Sequence, residues 1–170
     1  ILRDTEDEDG LEFSASGGTI TLDGSSGQSV THQPEAEGLP AEGTGLWDLT
    51  IDNTAASSPV SLSADLEVRN RLTISDGICT VPGRTLTLSG AQTHSIASTG
   101  ELDLEPTGSV NAGLTLFDGA SLSVSGSLKL KRASGSTSTS VLSTAASGGS
   151  GYGITITSSG VFDANYFTIT

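Results

Sequence analysis

"RLTISDGICTVPGRTLTLSG", residues 71–90, contains two words of the same form, Leu72-Thr73-Ile74 and Leu86-Thr87-Leu88, separated by glycine-bearing breaks. In each word the apolar side chains fall two apart, the period of a strand with one face on a core, and neither word is long enough for a helix. Asp76-Gly77 and Pro82-Gly83 supply the breaks, since Gly reaches positive φ and Asp and Pro favour tight bends. The stretch reads as strand, corner, strand, corner, strand.

The same grammar extends both ways: "VSLSADLEVRN" (60–70), "ELDLEPTG" (101–108), "LTLFDG" (114–119), "ASLSVSG" (120–126), "YGITITSSG" (152–160) and "VFDANYFTIT" (161–170). Composition agrees. Ser (27), Thr (22) and Gly (22) fill 71 of 170 positions, and only 16% are charged, a mixture suited to short strands joined by tight turns. The length predicts one domain. Residues 1–10, "ILRDTEDEDG", read as an acidic arm or cap, and 11–170 as one all-β domain interrupted by a long loop at 32–45 with two prolines.

The words also echo one another. "LTISDGICTVPG" (72–83) resembles "LTLFDGASLSVSG" (114–126) at an offset of 42, and Val68, Leu86, Leu104 and Leu122 are spaced by 18. Strand words recurring at this period predict a β-solenoid, a parallel β-helix, in which each coil closes its apolar interior only by stacking on its neighbours. At about 18–21 residues per coil and about 4.8 Å per coil, roughly eight coils would form a rod about 38 Å long.

"LTISDGICTVPGRTLTLSG", "GELDLEPTGSVNAGLTLFDGASLSVSG" and "SSGVFDANYFTIT" resemble the repeats of secreted bacterial β-helix proteins, such as filamentous-haemagglutinin-like adhesins and autotransporter passengers. The resemblance covers roughly residues 46–170. It implies a right-handed β-helix, export to the bacterial cell surface, and use as a stalk, adhesin or filament.

Charge narrows the partners. A formal charge of −13 repels a phosphate backbone, so nucleic acid is not expected. Eleven of twenty carboxylates precede Leu49, and Lys129, Lys131 and Arg132 form the basic cluster; this polarity predicts attraction between the ends of neighbouring copies. No run of 18 apolar residues suggests a membrane-spanning helix. The absence of Met and the start at Ile1 predict a processed protein or an excised piece. The lone Cys79 sits among Ile78 and Val81 and reads as a core residue.

Sites are few in the sequence. Asp7 and Asp9 in "DTEDEDG" are the candidate calcium ligands, but Thr5 and Ser16 occupy ligand positions of the acidic-loop pattern, and a solvated charge run competes with that reading. Asp76, Asp103 and Asp118 each fit a turn or an outward strand position, so no catalytic constellation is expected. His32 and His94 have no metal-spaced partners and read as surface residues. T-x-T words at 19–21, 85–87, 155–157 and 168–170 are too irregular in spacing for a lattice-matching ice face. Trp47 is expected to pin the long loop to the first full coil. Phe162, Tyr166 and Phe167 are the candidate end contacts, against which either a second copy joins by self-association in a filament or further repeat units of the same chain follow. The expected function is a non-enzymatic stalk or filament subunit without a cofactor; the alternative is a carbohydrate-binding or carbohydrate-cleaving β-helix.

Overall fold

The computed structural model describes residues 17–30, 45–55, 58–117, 119–132, 138–144, 152–165 and 167–170. Several expectations lie outside these residues: the acidic arm with Asp7 and Asp9, His32, Asp118, Tyr166 and nearly all of the 32–45 loop. Gly45, expected in that loop, instead opens a strand.

Among the described residues the chain is all-β, with no helix and therefore none long and apolar enough to cross a membrane. The strands are β1 (Thr19–Leu22), β2 (Gln28–Val30), β3 (Gly45–Asp52), β4 (Val60–Leu62) and β5 (Leu66–Pro82), then β6 (Thr85–Leu88) and β7 (Thr93–Glu105). They continue with β8 (Ala112–Leu116), β9 (Ser121–Val124), β10 (Ser127–Leu130), β11 (Ser140–Thr144), β12 (Gly153–Ile156), β13 (Val161–Ala164) and β14 (Phe167–Ile169). All pair in parallel in one curled sheet.

The pairings resolve into three ladders. Ladder A joins β1, β3, β5, β7, β9 and β12. Ladder B joins β2, β4, β5, β7, β10 and β13. Ladder C joins β3, β5, β6, β8, β11 and β14. The long strands β5 and β7 bend through corners and serve more than one ladder. Among the described residues each ladder is six strands deep, so they form six tiers spanning about 24 Å between the outermost strands at about 4.8 Å per step. The described residues therefore form fewer tiers, and a shorter stack, than expected from the sequence.

The core consists of side-chain columns. Along ladder A, Leu22, Ile51, Ile74, Ile96, Val124 and Ile156 lie in register. On ladder B, Cys79, Leu102, Leu128 and Phe162 form another column, and on ladder C Leu66, Leu86, Leu114, Leu142 and Ile169 do so. Most of these aliphatic groups are fully buried, each contributing on the order of 1.5–3 kcal/mol against chain entropy. Parallel strands are usually buried on both faces and uniformly apolar. Here the sheet curls so that one face meets the core and the other meets water, which is why apolar and polar residues alternate.

The register corrects the expected coil length. Ile51 sits beside Ile74, Ile74 beside Ile96, Ile96 beside Val124 and Val124 beside Ile156. These steps on ladder A are unequal, each exceeds the coil expected from the sequence, and the longest is the last, whereas Val60 beside Cys79 on ladder B and Leu66 beside Leu86 on ladder C fall within the expected length. Val68 pairs with Leu88 and Leu66 with Leu86, while Leu104 belongs to ladder B and Leu122 to ladder A. The even spacing of Val68, Leu86, Leu104 and Leu122 is thus not a register. The echo between 72–83 and 114–126 is a repeated local unit, strand–corner–strand, which turns from ladder A to B at Gly77 and from ladder C to A at Gly119. Both glycines have positive φ, +82° and +79°.

A column of small residues marks the corner between ladders A and B: Gly24, Asn53, Gly77, Gly100, Gly126 and Gly160. Tiers approach here through their backbones. A Cβ on Gly77 would fall 2.0 Å from the Asn53 carbonyl oxygen, and one on Gly126 would fall 2.1 Å from that of Gly100. Asn53 is the exception that keeps a side chain. Its buried Nδ2 donates to the Ser26 carbonyl (2.8 Å) and to Gln28 Oε1 (3.0 Å), and its Oδ1 accepts from the Ala55 amide (2.8 Å).

Candidate functional site

Among the described residues the densest charged group lies on the outward side of ladder B. The alternation of "ELDLE" turns Leu102 and Leu104 into the core and Glu101, Asp103 and Glu105 out. The next tier, "SLKLK", does the same with Lys129 and Lys131. Register places Thr80, Asp103, Lys129 and Asp163 in one column. Lys129 Nζ meets Glu101 Oε2 at 2.7 Å, and Lys131 Nζ bridges Asp103 Oδ2 and Glu105 Oε1, the latter at 2.8 Å.

Asp103 is the unusual member. Its side chain is only 3% exposed although it points away from the core, and Oδ1 has no hydrogen-bond partner. Burial raises its pKa above the usual carboxylate value; Lys131 opposes that shift, while Glu105 and Glu101 add to it. Burial alone would push the Lys131 ammonium down, but Asp103 and Glu105 reverse the sign and hold it above the ordinary lysine range. Three carboxylates and two ammonium groups thus interlock and pin the fourth tier to the fifth. Lys129 and Lys131, expected to attract acidic ends of neighbouring copies, are engaged within the chain.

Beside this strip, at the A–B corner, lies a shallow polar depression of about 250 Å³, lined in part by Asn53, Asp76, Ser98, Thr99, Glu101 and Ser127. Asp76 is a corner residue whose Oδ1 accepts the Gly77 amide at 2.8 Å. Its register partner is Thr99, whereas that of Asp103 is Thr80, so these two aspartates do not form one site. Among the described residues no group of three or more His, Cys, Asp or Glu side chains is arranged to hold a metal ion.

The last tier is a second feature. Phe162 and Phe167, both expected at the end, are 42% and 38% exposed, and Ile156 and Ile169 are also open. The two rings meet edge to face with centroids 6.0 Å apart. Phe162 continues the Cys79–Leu102–Leu128 column and Ile169 the Leu114–Leu142 column. They are core positions with no tier above them among the described residues.

Other expectations resolve individually. Cys79 is buried as a free thiol, its pKa pushed up by burial to about 12. Trp47 is half-buried in a register irregularity between Leu46 and Asp48, where β3 passes from ladder C to ladder A. His94 is not on the surface; it is fully buried on ladder A. The T-x-T words at 19–21 and 155–157 fall on ladder A and those at 85–87 and 168–170 on ladder C. Uneven sequence spacing still yields one continuous hydroxyl rank, Thr21, Thr50, Thr73, Ser95, Ser123 and Thr155. Asp48 and Arg71 interrupt the neighbouring rank, so the face is not a two-dimensional hydroxyl lattice.

Sequence reasoning missed the corner column, and a signal for it existed. Asp23-Gly24, Asp52-Asn53, Asp76-Gly77, Thr99-Gly100, Ser125-Gly126 and Ser159-Gly160 repeat a short polar residue followed by Gly or Asn, once per tier. A scan against protein-family models and searches of curated proteins and of solved structures returned no match to this chain.

Proposed function

We propose that the chain is a right-handed β-solenoid column with a mechanical role: a non-enzymatic stalk or filament subunit of the bacterial cell surface, extended end to end through its terminal tiers. The observation that carries this reading is the last tier, where Ile156, Phe162, Phe167 and Ile169 hold core positions yet remain exposed. The first described tier is complementary in kind, with Ile20 and Leu22 only half covered. A parallel tier leaves backbone donors and acceptors directed along the stack, so a second copy can continue each ladder in register.

The test is assembly. At high concentration, light scattering and negative-stain imaging should reveal end-to-end oligomers or fibres, and Phe167→Asp or Ile169→Asp should abolish them while far-UV dichroism stays unchanged. A wild-type protein that remains strictly monomeric would sink the proposal. The strip of Glu101, Asp103 and Glu105 beside a polar depression favours a second reading, a carbohydrate-binding or carbohydrate-cleaving β-helix. Glycan-array binding with product analysis separates the two.

A further inference from the structure

His94 stands where a tier should carry an aliphatic side chain. Leu49 pairs with Leu72 on ladder A, and His94 pairs with Leu122, which pairs with Ile154. Thr73 pairs with Ser95, so Leu72 and His94 occupy the same position in successive tiers. The imidazole is 0% exposed. The Leu72 amide donates to its Nδ1 at 3.0 Å, so a ring nitrogen takes a backbone hydrogen bond that a carbonyl usually receives. With Nδ1 accepting, the ring is neutral and its proton resides on Nε2. Nε2 has no hydrogen-bond partner.

Apart from the Gly90 backbone, the surroundings offer nothing to stabilise a charge. From β5 comes Arg71, a like charge; from the corner before β7 comes the Gly90 backbone; from β9 come Leu122 and its flanking Ser121 and Ser123, none of them titratable. The carboxylates of β7 itself, Glu101, Asp103 and Glu105, lie on ladder B. The Cys79 thiol, also in the core, stays protonated and supplies no counter-charge. Burial accordingly holds the imidazole pKa below its usual value, with Gly90 opposing and Arg71 reinforcing the shift.

We propose that His94 is an acid-operated latch at the centre of the stack: neutral, it accepts the Leu72 amide and completes the apolar column; protonated, it loses that bond and loosens ladder A between the third and fourth tiers. The sign follows from proton uptake. The unfolded chain protonates this histidine at about pH 6.5, and the folded chain only at lower pH. Stability that is complete above about pH 6.5 is therefore lost as pH falls from there toward the folded-state value. Within that window the unfolding equilibrium constant rises by up to about tenfold per pH unit, one proton's worth.

The experiment compares wild type with His94→Leu by urea unfolding from pH 7.5 to 5, together with amide hydrogen exchange at Leu72, corrected for intrinsic rates, in the wild type. His32 is present in both proteins and cancels. The expected result is a one-proton loss of stability in the wild type that His94→Leu lacks, with Leu72 protection falling before that of Ile51. Parallel pH profiles for the two proteins, or a Leu72 amide whose protection does not change down to pH 5, would overturn the proposal. Should His94→Leu fail to fold, the wild-type Leu72 amide decides the matter alone.

Discussion

Replacing Gly126 by Ala adds a single methyl group to the corner between ladders A and B. That methyl would lie 2.1 Å from the Gly100 carbonyl oxygen and 2.2 Å from that of Ala97. Both are backbone atoms of the adjacent tier, so relief requires the tiers to separate by about 1 Å, since carbon and oxygen rarely approach closer than about 3 Å. Separation strains the two hydrogen bonds that join these tiers at the corner, Ser125 N to Ile96 O at 2.8 Å and Gly126 N to Ile96 O at 3.2 Å. Overpacking of this kind costs about 1–3 kcal/mol, and weakening two backbone bonds adds about 1 kcal/mol more, so about 3 kcal/mol is expected. Gly153→Ala is the control. It meets nothing within 4 Å and has no positive φ, so Ala there should be neutral or stabilise by up to about 1 kcal/mol through the unfolded chain. Urea unfolding of both variants measures the difference, with unchanged m values licensing the comparison. If Gly126→Ala and Gly153→Ala differ by less than about 0.5 kcal/mol, the tiers are not in backbone contact at this corner and the close-stacking argument fails.

Leu104→Ala, at a fully buried position, should cost about 2–5 kcal/mol in the same assay, whereas Phe162→Ala in the half-open last tier should cost clearly less; equal losses would mean that the end is covered in solution. Lys131→Gln strands the Asp103 carboxylate, but Lys131 is 46% exposed, so the loss should fall to about 1–2 kcal/mol, between surface and buried pairs. Asp103→Asn added to it should restore most of that loss. Cys79 should resist thiol-reactive reagents at pH 8 until the chain unfolds, and labelling of the folded protein within minutes would contradict its burial. Because the Cys79 pKa is raised from 9.0 to about 12, the unfolded state alone loses this proton between those values. Stability should therefore fall across pH 9–12, and less steeply in Cys79→Ala.

Local chemistry is legible in the sequence. The two-residue alternation in "LTISDG", "ELDLE" and "SLKLK" depends only on which side of a pleated backbone each side chain leaves. It identifies the strands, the inward leucines and Cys79 without reference to any other tier. Glycine with Asp, Ser or Thr likewise announces the corners. His94 shows where residue type misleads: a histidine suggests the surface, yet "THSIAS" places it in the same parity as Ile96, the parity that faces the core.

What only the tertiary structure decided is which strand lies on which. Segments between the ladders vary, so the tier that runs from Val60 to Cys79 is far shorter than the one from Leu128 to Phe162, and no fixed period in the chain reports the register. Asp103 shows the consequence: alternation puts it outside, yet Lys131 folds over it from the next tier and removes it from water. The side-chain period is a property of one strand's backbone, whereas burial of a polar group and the choice of neighbour arise from contacts between tiers whose separation along the chain is set by loops of no fixed length.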